Sequence, residues 1–311
     1  MSKLAIIVPS YNEEEILPQT IQKLSILVEE LIDKKLISKD SVIVFVDDGS
    51  KDKTWEIIEE SSKKDKFIKG IKLSRNCGHQ NALVAGLFNV KADIYISIDA
   101  DLQDDISVIE DMIRCYQDGS DIVYGVRKER DSDTFFKKTT AEIFYKLLKK
   151  MGVDIVYNHA DFRLMSKRAV EALKSFEEVN LFLRGLVPLI GFKSSKVFYN
   201  RLQRSAGESK YPIRKMLSFA WEGITSFSIV PLRFISVIGF IIFIFSIMMG
   251  FWVLWEKFIA HNAISGWAST VLPIYFIGGV QLLSLGIIGE YIGKIYKETK
   301  KRPKYFIETM T

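Results

Sequence analysis

Val42-Ile43-Val44-Phe45-Val46-Asp47-Asp48-Gly49-Ser50 and Ile94-Tyr95-Ile96-Ser97-Ile98-Asp99-Ala100-Asp101-Leu102-Gln103-Asp104 are built alike, a short apolar run followed by carboxylates. Apolar runs of about five residues bounded by turn formers predict strands buried on both faces, the pattern of a parallel sheet. Ile43–Val46 and Ile94–Ile98 fit that description. In an open α/β sheet the ligand crevice lies beyond the carboxyl ends of the strands, which gathers Asp47, Asp48, Asp99 and Asp101 at one edge. An extended Asp99-Ala100-Asp101 places both carboxylates on one face. Oxygen donors of that kind suit a hard cation, Mg²⁺ or Mn²⁺, with a nucleotide diphosphate completing the ligand set.

Outward from these runs, strands and helices alternate. Leu4–Val8 predicts the first strand, and Ile16, Thr20, Leu24, Leu27, Val28 and Leu31 recur at helical spacing after it. Thr54–Ser62, Gln80–Asn89 and Ile106–Tyr116 read as helices, and Ile68–Leu73 and Ile122–Tyr124 as strands. This order predicts a parallel sheet joined by right-handed crossovers. Phe135–Met151 reads as a basic amphipathic helix, and there is no internal repeat or low-complexity stretch.

A lone Asp-x-Asp also spells a turn or a helix N-cap. Here it has company: Val8-Pro9-Ser10-Tyr11-Asn12-Glu13-Glu14-Glu15 follows the first strand and Asp47-Asp48-Gly49-Ser50 the second. The three motifs, in this order over the first hundred residues, resemble the family 2 glycosyltransferases with a GT-A fold. Between them lies Ser74-Arg75-Asn76-Cys77-Gly78-His79-Gln80-Asn81-Ala82. Gly78 permits a tight turn there, and the helix from Gln80 can aim backbone N–H groups at the crevice; for His79 a plain capped loop is an equal alternative. The run is similar to the Asn-x-Gly-His-Gln of the family's prenyl-phosphate branch. The resemblance covers essentially the whole chain and runs nearest to the bactoprenol glucosyltransferases and dolichol-phosphate mannose synthases.

The resemblance implies that Pro9, Tyr11, Glu13, Asp47 and Asp48 line a nucleoside pocket. By the same resemblance Asp99 bridges ribose and metal, and Asp101 and Gln103 ligate the metal. Arg127, expected in the loop after the fifth strand, would pair with the donor diphosphate, since a guanidinium offers forked donors to phosphate oxygens. Asp161 takes the place of the base beside the acceptor, which with Asp101 and Arg127 makes up the catalytic set. A lipid monophosphate has a second pKa near 6, so its oxygen is largely anionic at neutral pH and Asp161 either abstracts a proton or only orients. Arg201, Arg204 and Lys210, in the loop Asn200–Tyr211, are expected on the acceptor phosphate; attraction of the same loop to anionic headgroups is compatible with this.

At 311 residues and 48% hydrophobic, the chain buries one sizeable core and has a tail to spare. The expected organisation is a catalytic domain over 1–211, an interfacial amphipathic helix over 212–231, and a two-helix transmembrane anchor with a basic tail over 232–311. The spans fall at about 234–254 and 267–289, each roughly twenty residues without charge. Neither is a signal peptide, being far from the N-terminus. The fold class expected is therefore α/β, a GT-A (Rossmann-like) and mostly parallel sheet flanked by helices, plus these membrane elements.

The net charge of +5 is concentrated near the spans: Arg214, Lys215 and Arg233 before the first, Lys294, Lys297, Lys300, Lys301, Arg302 and Lys304 after the second. The loop between holds Lys257 offset by Glu256. The positive-inside rule then sets the catalytic domain and both termini on the cytoplasmic side of the cell membrane. No nucleic-acid partner is expected, since the basic surface belongs to the membrane ends. Cys77 and Cys115 are expected as free thiols. Gly278, Gly279, Gly286, Gly289 and Gly293 allow close helix packing, from which a homo-oligomer is expected.

The resemblance implies an enzyme that transfers a sugar with inversion, glucose from UDP-glucose, onto polyprenyl (undecaprenyl) phosphate. The alternatives are a mannosyltransferase using GDP-mannose and, from another class, a non-catalytic scaffold or flippase subunit. The Gln-x-x-Arg-Trp of processive synthases is absent.

Overall fold

The computed structural model describes residues 1–128, 159–179, 181–200, 230–255 and 267–311. Its strands are β1 (Leu4–Ser10), β2 (Val42–Asp47), β3 (Ile68–Leu73), β4 (Ile94–Ser97), β5 (Ile122–Arg127), β6 (His159–Ser166), β7 (Ser194–Tyr199) and β8 (Ile307–Met310). Its helices are α1 (Leu17–Asp33), α2 (Thr54–Lys64), α3 (His79–Asn89), α4 (Ile109–Gln117), α5 (Lys167–Lys174), α6 (Leu183–Leu189), α7 (Val230–Trp255) and α8 (Trp267–Lys300). The strands form one sheet in the order β7-β5-β6-β4-β1-β2-β3-β8.

β1 shows why the sheet is a middle layer. Every residue from Leu4 to Ser10 is buried. Because side chains alternate across a strand, Leu4, Ile6 and Val8 pack with Leu24 and Val28 of α1 and Met112 of α4. Ala5 and Ile7 face the other way, into a cluster with Leu83 and Leu87 of α3 and Leu186 of α6. Gly86 lets α3 lie close on β1: a Cβ there would stand 2.3 Å from Ile7 Cγ2.

β1, β2, β3 and β4 run parallel, as expected, so their carboxyl ends share one edge. The rest of the sheet is mixed. β6 lies antiparallel to both β4 and β5, and β8 antiparallel to β3. β5 extends past the expected Tyr124 to Arg127, because β7 pairs with it in parallel through Arg127↔Tyr199. β4 stops at Ser97, its last residue paired with Ile7 and Arg163. Asp99-Ala100-Asp101 is consequently a turn and not the extended segment expected: Ala100 O accepts from Thr20 Oγ1 at 2.7 Å, and Leu102 has φ +50. The helix expected over Ile106–Tyr116 opens with a 3₁₀ turn, Ile106–Val108, whose Ser107 N–H is capped by Asp105.

Helices stand at both expected spans, but their limits differ. α8 is 34 residues, about 51 Å at 1.5 Å per residue, and continues through Gly289 to Lys300. Among the described residues one helix, Phe276–Lys300, is long and apolar enough to cross a membrane, where two spans were expected; α7 supplies a shorter apolar stretch, Val230–Ile242. Val230 and Pro231 belong to the first turn of α7, where proline is well tolerated, and the rest of the expected interfacial helix lies outside the described residues. So do the helix expected over Phe135–Met151 and the residues Arg201, Arg204 and Lys210.

The chain's end is the main departure from expectation. Residues 307–310 are no free basic tail but the outer strand of the sheet, with Ile71↔Met310 and Lys72↔Thr309 in register. Gly70 N–H donates to Thr311 Oγ1 at 2.7 Å, Thr311 N–H donates to Gly70 O at 3.0 Å, and Ser74 N–H donates to Phe306 O at 3.0 Å. At the foot of α8, Glu298 Oε2 accepts from Val179 N–H at 2.8 Å and Lys301 pairs with Glu177 at 2.7 Å. The sheet and the C-terminal end of α8 therefore stand together.

Cys77 and Cys115 are free thiols, as expected. At Gly278, Gly279, Gly286, Gly289 and Gly293 a Cβ would meet nothing within 4 Å among the described residues.

Candidate active site

At the shared carboxyl edge two loops interlock. Asp48 N–H donates to Ser10 O at 2.9 Å, Asn12 N–H to Ser50 Oγ at 3.0 Å, and Lys51 N–H to Asn12 Oδ1 at 2.9 Å. Glu13 N–H reaches Thr54 Oγ1 at 2.9 Å. This holds Pro9, Tyr11, Glu13, Asp47 and Asp48 in one neighbourhood at the ends of β1 and β2. Tyr11 is 40% exposed and Pro9 is buried in the β1–β2 ladder. Asp47 is buried, and its Oδ2 accepts no hydrogen bond.

Asp48 also ties the edge together. Its Oδ1 accepts from Cys77 N–H at 2.7 Å and its Oδ2 from Gly78 N–H at 2.8 Å, which docks the loop between β3 and α3. Two glycines make the join possible. Gly49 has φ +68 and lies against backbone, a Cβ there falling 2.6 Å from Arg75 C and Asn76 N. Gly78 has φ +92 and ψ 151, open to glycine and strained for other residues.

The docked loop delivers His79 to the acidic turn. His79 Nε2 lies 3.5 Å from Asp99 Oδ1 and 3.7 Å from Asp161 Oδ2. Asp161, near the start of β6, reaches the same edge because β6 runs antiparallel beside β4, where its carbonyl accepts from Ser97 Oγ. Two guanidinium groups hold its carboxylate. Arg163 Nη2 donates to Oδ1 at 2.5 Å, and Arg184 of α6 donates to Oδ2 at 3.2 Å. Burial alone would raise the pKa of Asp161, but Arg184 and Arg163, with His79, outweigh it and hold the carboxyl far below the usual carboxylate range. Asp99 behaves in the opposite way: burial of Oδ1 pushes it up to about 6 against the pull of His79.

A second cluster stands beside the first. Arg127 Nη2 and Nε donate to Asp104 Oδ1 at 2.9 and 3.3 Å, and Tyr199 O–H donates to the same oxygen at 2.5 Å. Burial lowers the basicity of Arg127, yet Asp104 and Tyr199 more than restore it, so it is a fixed cation. Arg127 thus stands on a strand end with Asp104 as partner, and not in the loop expected of it.

The donor set on the acidic turn fits a hard cation. Asp99 Oδ1 is sealed from solvent and accepts no hydrogen bond, a cost a bound cation would relieve. Asp101 Oδ1 accepts from Gln103 N–H at 3.1 Å, and the Gln103 side chain is buried beside it. Among the described residues no three carboxylate, imidazole or thiol side chains gather as a complete cage, so Asp99, Asp101 and Gln103 would need substrate oxygens to fill the coordination sphere. Arg184, Asp104 and Tyr199 are the site residues that sequence reasoning passed over. Asp104 stood inside the quoted acidic run, whereas nothing in the spelling around Arg184 or Tyr199 marks either.

Residues 5–174 match the family described as Glycosyl transferase family 2. The chain belongs to that family and is a glycosyltransferase. It is 54% identical over 307 residues to the uncharacterized glycosyltransferase YkoT of Bacillus subtilis (strain 168), covering 98% of this chain and 91% of that one. It is 40% identical over 311 residues to the bactoprenol glucosyl transferase of Shigella phage SfX, covering 99% of each. Among solved structures, glucosyl-3-phosphoglycerate synthase from Mycobacterium tuberculosis, in complex with Mn²⁺, UDP and phosphoglyceric acid, overlays 72% of this chain and 76% of its own. That overlay has a TM-score of 0.49 at 18% identity.

Proposed function

We propose that this glycosyltransferase moves a sugar from a nucleotide diphosphate donor onto the phosphate of a polyprenyl lipid at a membrane surface, with UDP-glucose as donor. The observation that carries the reading is the clamp on Asp161. A general base works best with a pKa near the operating pH. A carboxylate neutralised by Arg163 and Arg184 and held far below that range is a poor proton acceptor. It suits an acceptor with no proton to lose. A phosphate monoester, whose second pKa is near 6, is such an acceptor, whereas a sugar hydroxyl is not. The relative in Shigella phage SfX carries a bactoprenol glucosyl transferase name, which supports the same choice of lipid and sugar.

In the step itself an acceptor phosphate oxygen forms the bond to the anomeric carbon, the bond to the donor diphosphate breaks, and its electron pair leaves with the diphosphate, inverting the carbon. Arg127, oriented by Asp104 and Tyr199, is the donor-side cation that steadies the charge on the departing diphosphate. Asp99, Asp101 and Gln103 would hold a divalent ion, Mg²⁺ or Mn²⁺, which when bound supplies further neutralisation of that diphosphate. Asp161 orients the acceptor and does not abstract a proton from it. Pro9, Tyr11, Glu13, Asp47 and Asp48 take the nucleoside, and by their resemblance to the family's motif Arg201, Arg204 and Lys210 are assigned to the acceptor phosphate. α8, with α7 beside it, anchors the enzyme in the cell membrane with the sheet on the cytoplasmic side.

The test is to incubate the purified full chain in lipid nanodiscs with undecaprenyl phosphate, Mn²⁺ or Mg²⁺ and a panel of UDP- and GDP-sugars, then weigh the lipid product. A hexosyl phospholipid formed from UDP-glucose is expected. Product from GDP-mannose alone would move the donor assignment, and no product from any donor would overturn the reading.

A further inference from the structure

Two arginines meet Asp161, and they are not equivalent. Arg163 is 2% exposed, and both its terminal nitrogens are committed, Nη2 to Asp161 and Nη1 to Leu183 O at 3.3 Å. It lies inside the protein and shares the buried charge of Asp161 with Arg184. Arg184 is 32% exposed, and its contacts to Asp161 are longer, 3.2 Å from Nη2 and 3.5 Å from Nε. A buried carboxylate gains from every partner that satisfies its lone pairs, and Asp161 has one guanidinium inside the protein and one at its rim. The second guanidinium, on the rim, is the one whose forked donors an incoming anion can share.

The position of Arg184 gives that anion a direction. Leu183, the residue before it, donates its N–H to Gln80 Oε1 at 3.2 Å, and Leu183, Leu186 and Val187 are buried, so the base of Arg184 is pinned against α3. Just upstream, Val179 and Glu177 are tied to Glu298 and Lys301 at the foot of α8, the apolar helix long enough to enter a bilayer. Arg184 therefore follows, a short way along the chain, a segment fastened to the foot of the membrane helix. The acidic turn, with Asp99 and Asp101, repels a bare phosphate dianion and suits the cation and donor; the Arg184 side attracts it.

We propose that Arg184 is the residue that recognises the acceptor's phosphate as it enters from the bilayer, its forked donors shared between Asp161 and a lipid monophosphate ester while Arg163 stays on Asp161 from inside. The inference rests on the acceptor reading given above and adds to it a binding residue outside the loop holding Arg201, Arg204 and Lys210. It makes Asp161 the divide between an anion-binding acceptor side and a cation-binding donor side.

The probe is farnesyl phosphate against farnesol, bound to the full chain in nanodiscs without donor. Wild type is expected to prefer the monophosphate by about tenfold or more, the scale of one charge-assisted phosphate contact. Arg184→Ala should erase the preference, and Arg184→Lys, which keeps a point charge, should retain part of it. UDP-glucose binding in the presence of Mn²⁺ should be unchanged in both variants, which shows that each is folded. In turnover, the KM for lipid phosphate should rise about tenfold in Arg184→Ala with the donor KM unchanged. A wild type indifferent to the phosphate, a full preference surviving in Arg184→Ala, or a fall in kcat with the lipid KM unchanged would each overturn the proposal, the last by showing that Arg184 only orients Asp161. If Arg184→Ala proves unfolded, Arg184→Lys decides alone, and a preference equal to wild type overturns the proposal. A wild type that discriminates the monophosphate yet transfers no sugar to it would refute the proposed function and leave Arg184 in place.

Discussion

Asp48 Oδ2 accepts a hydrogen bond from the Gly78 N–H at 2.8 Å, and this contact joins the loop after β2 to the loop that presents His79. Substituting Asn keeps the shape but turns one acceptor into a donor facing an N–H group. Asp48→Asn is expected to lose about 1–3 kcal/mol of stability, the usual cost of a buried group left unsatisfied. It should also lower kcat more than tenfold by releasing His79. Thermal melts read with steady-state kinetics check both, and an unchanged kcat would show that the loop is held by other means.

Asp101 stands on the acidic turn, partly exposed, with its Oδ1 on Gln103 N–H. Asp101→Ala is expected to abolish turnover while leaving the melting temperature within a few degrees of wild type, since surface changes usually cost under about 0.5 kcal/mol. Calorimetric titration with Mn²⁺ and UDP should show the ion affinity reduced. Near-normal turnover of the purified variant would remove Asp101 from the metal site.

Asp99 and Asp161, the two carboxylates beside His79, respond oppositely to acid. Asp99 is raised to about 6 by burial, so below that pH it is protonated and a cation must displace the proton. Mn²⁺ affinity is expected to fall as pH drops through about 6, approaching tenfold per unit below it. In the metal-free protein the same raised value makes the folded state gain stability from Asp99 as pH falls from 7 toward the ordinary carboxylate range. Asp161 is depressed, so its contribution is present above the ordinary carboxylate pKa and is lost only as pH falls below it. A pH series of Mn²⁺ titrations and metal-free melts separates the two, and a Mn²⁺ affinity flat between pH 7 and 5 would contradict the role of Asp99.

Arg163 is the buried partner. Arg163→Met leaves Asp161 with Arg184 as its remaining arginine, and a cost of about 3–5 kcal/mol is expected, as for other broken buried pairs. Chemical denaturation measures it. A cost below about 1 kcal/mol would mean that the clamp adds little to stability.

The central layer was legible because its physics is local. Leu4–Val8 had to be a strand buried on both faces, and the helical spacing of Thr20, Leu24 and Val28 named the inward side of α1 correctly. The acidic clusters stand at the shared carboxyl edge, where parallel pairing put them. What local pattern does not encode is the partner across the fold. Asp48 was read as pocket lining, and its hydrogen bonds to Cys77 and Gly78 N–H come from backbone that lies beside it only after folding. Arg184 sits in the ordinary apolar helix Leu183–Leu189, and only the antiparallel placement of β6 brings Asp161 to it. Ile307–Met310 is too short and too polar to show a period, and becomes a strand by joining the open edge of β3.

That last strand has a practical consequence. Because it is woven into the sheet while its own chain leads back through α8, a protease nick ahead of α7 would not set the catalytic half adrift. The two fragments would stay noncovalently associated and copurify, and the enzyme would accept expression as two separate polypeptides that reassemble.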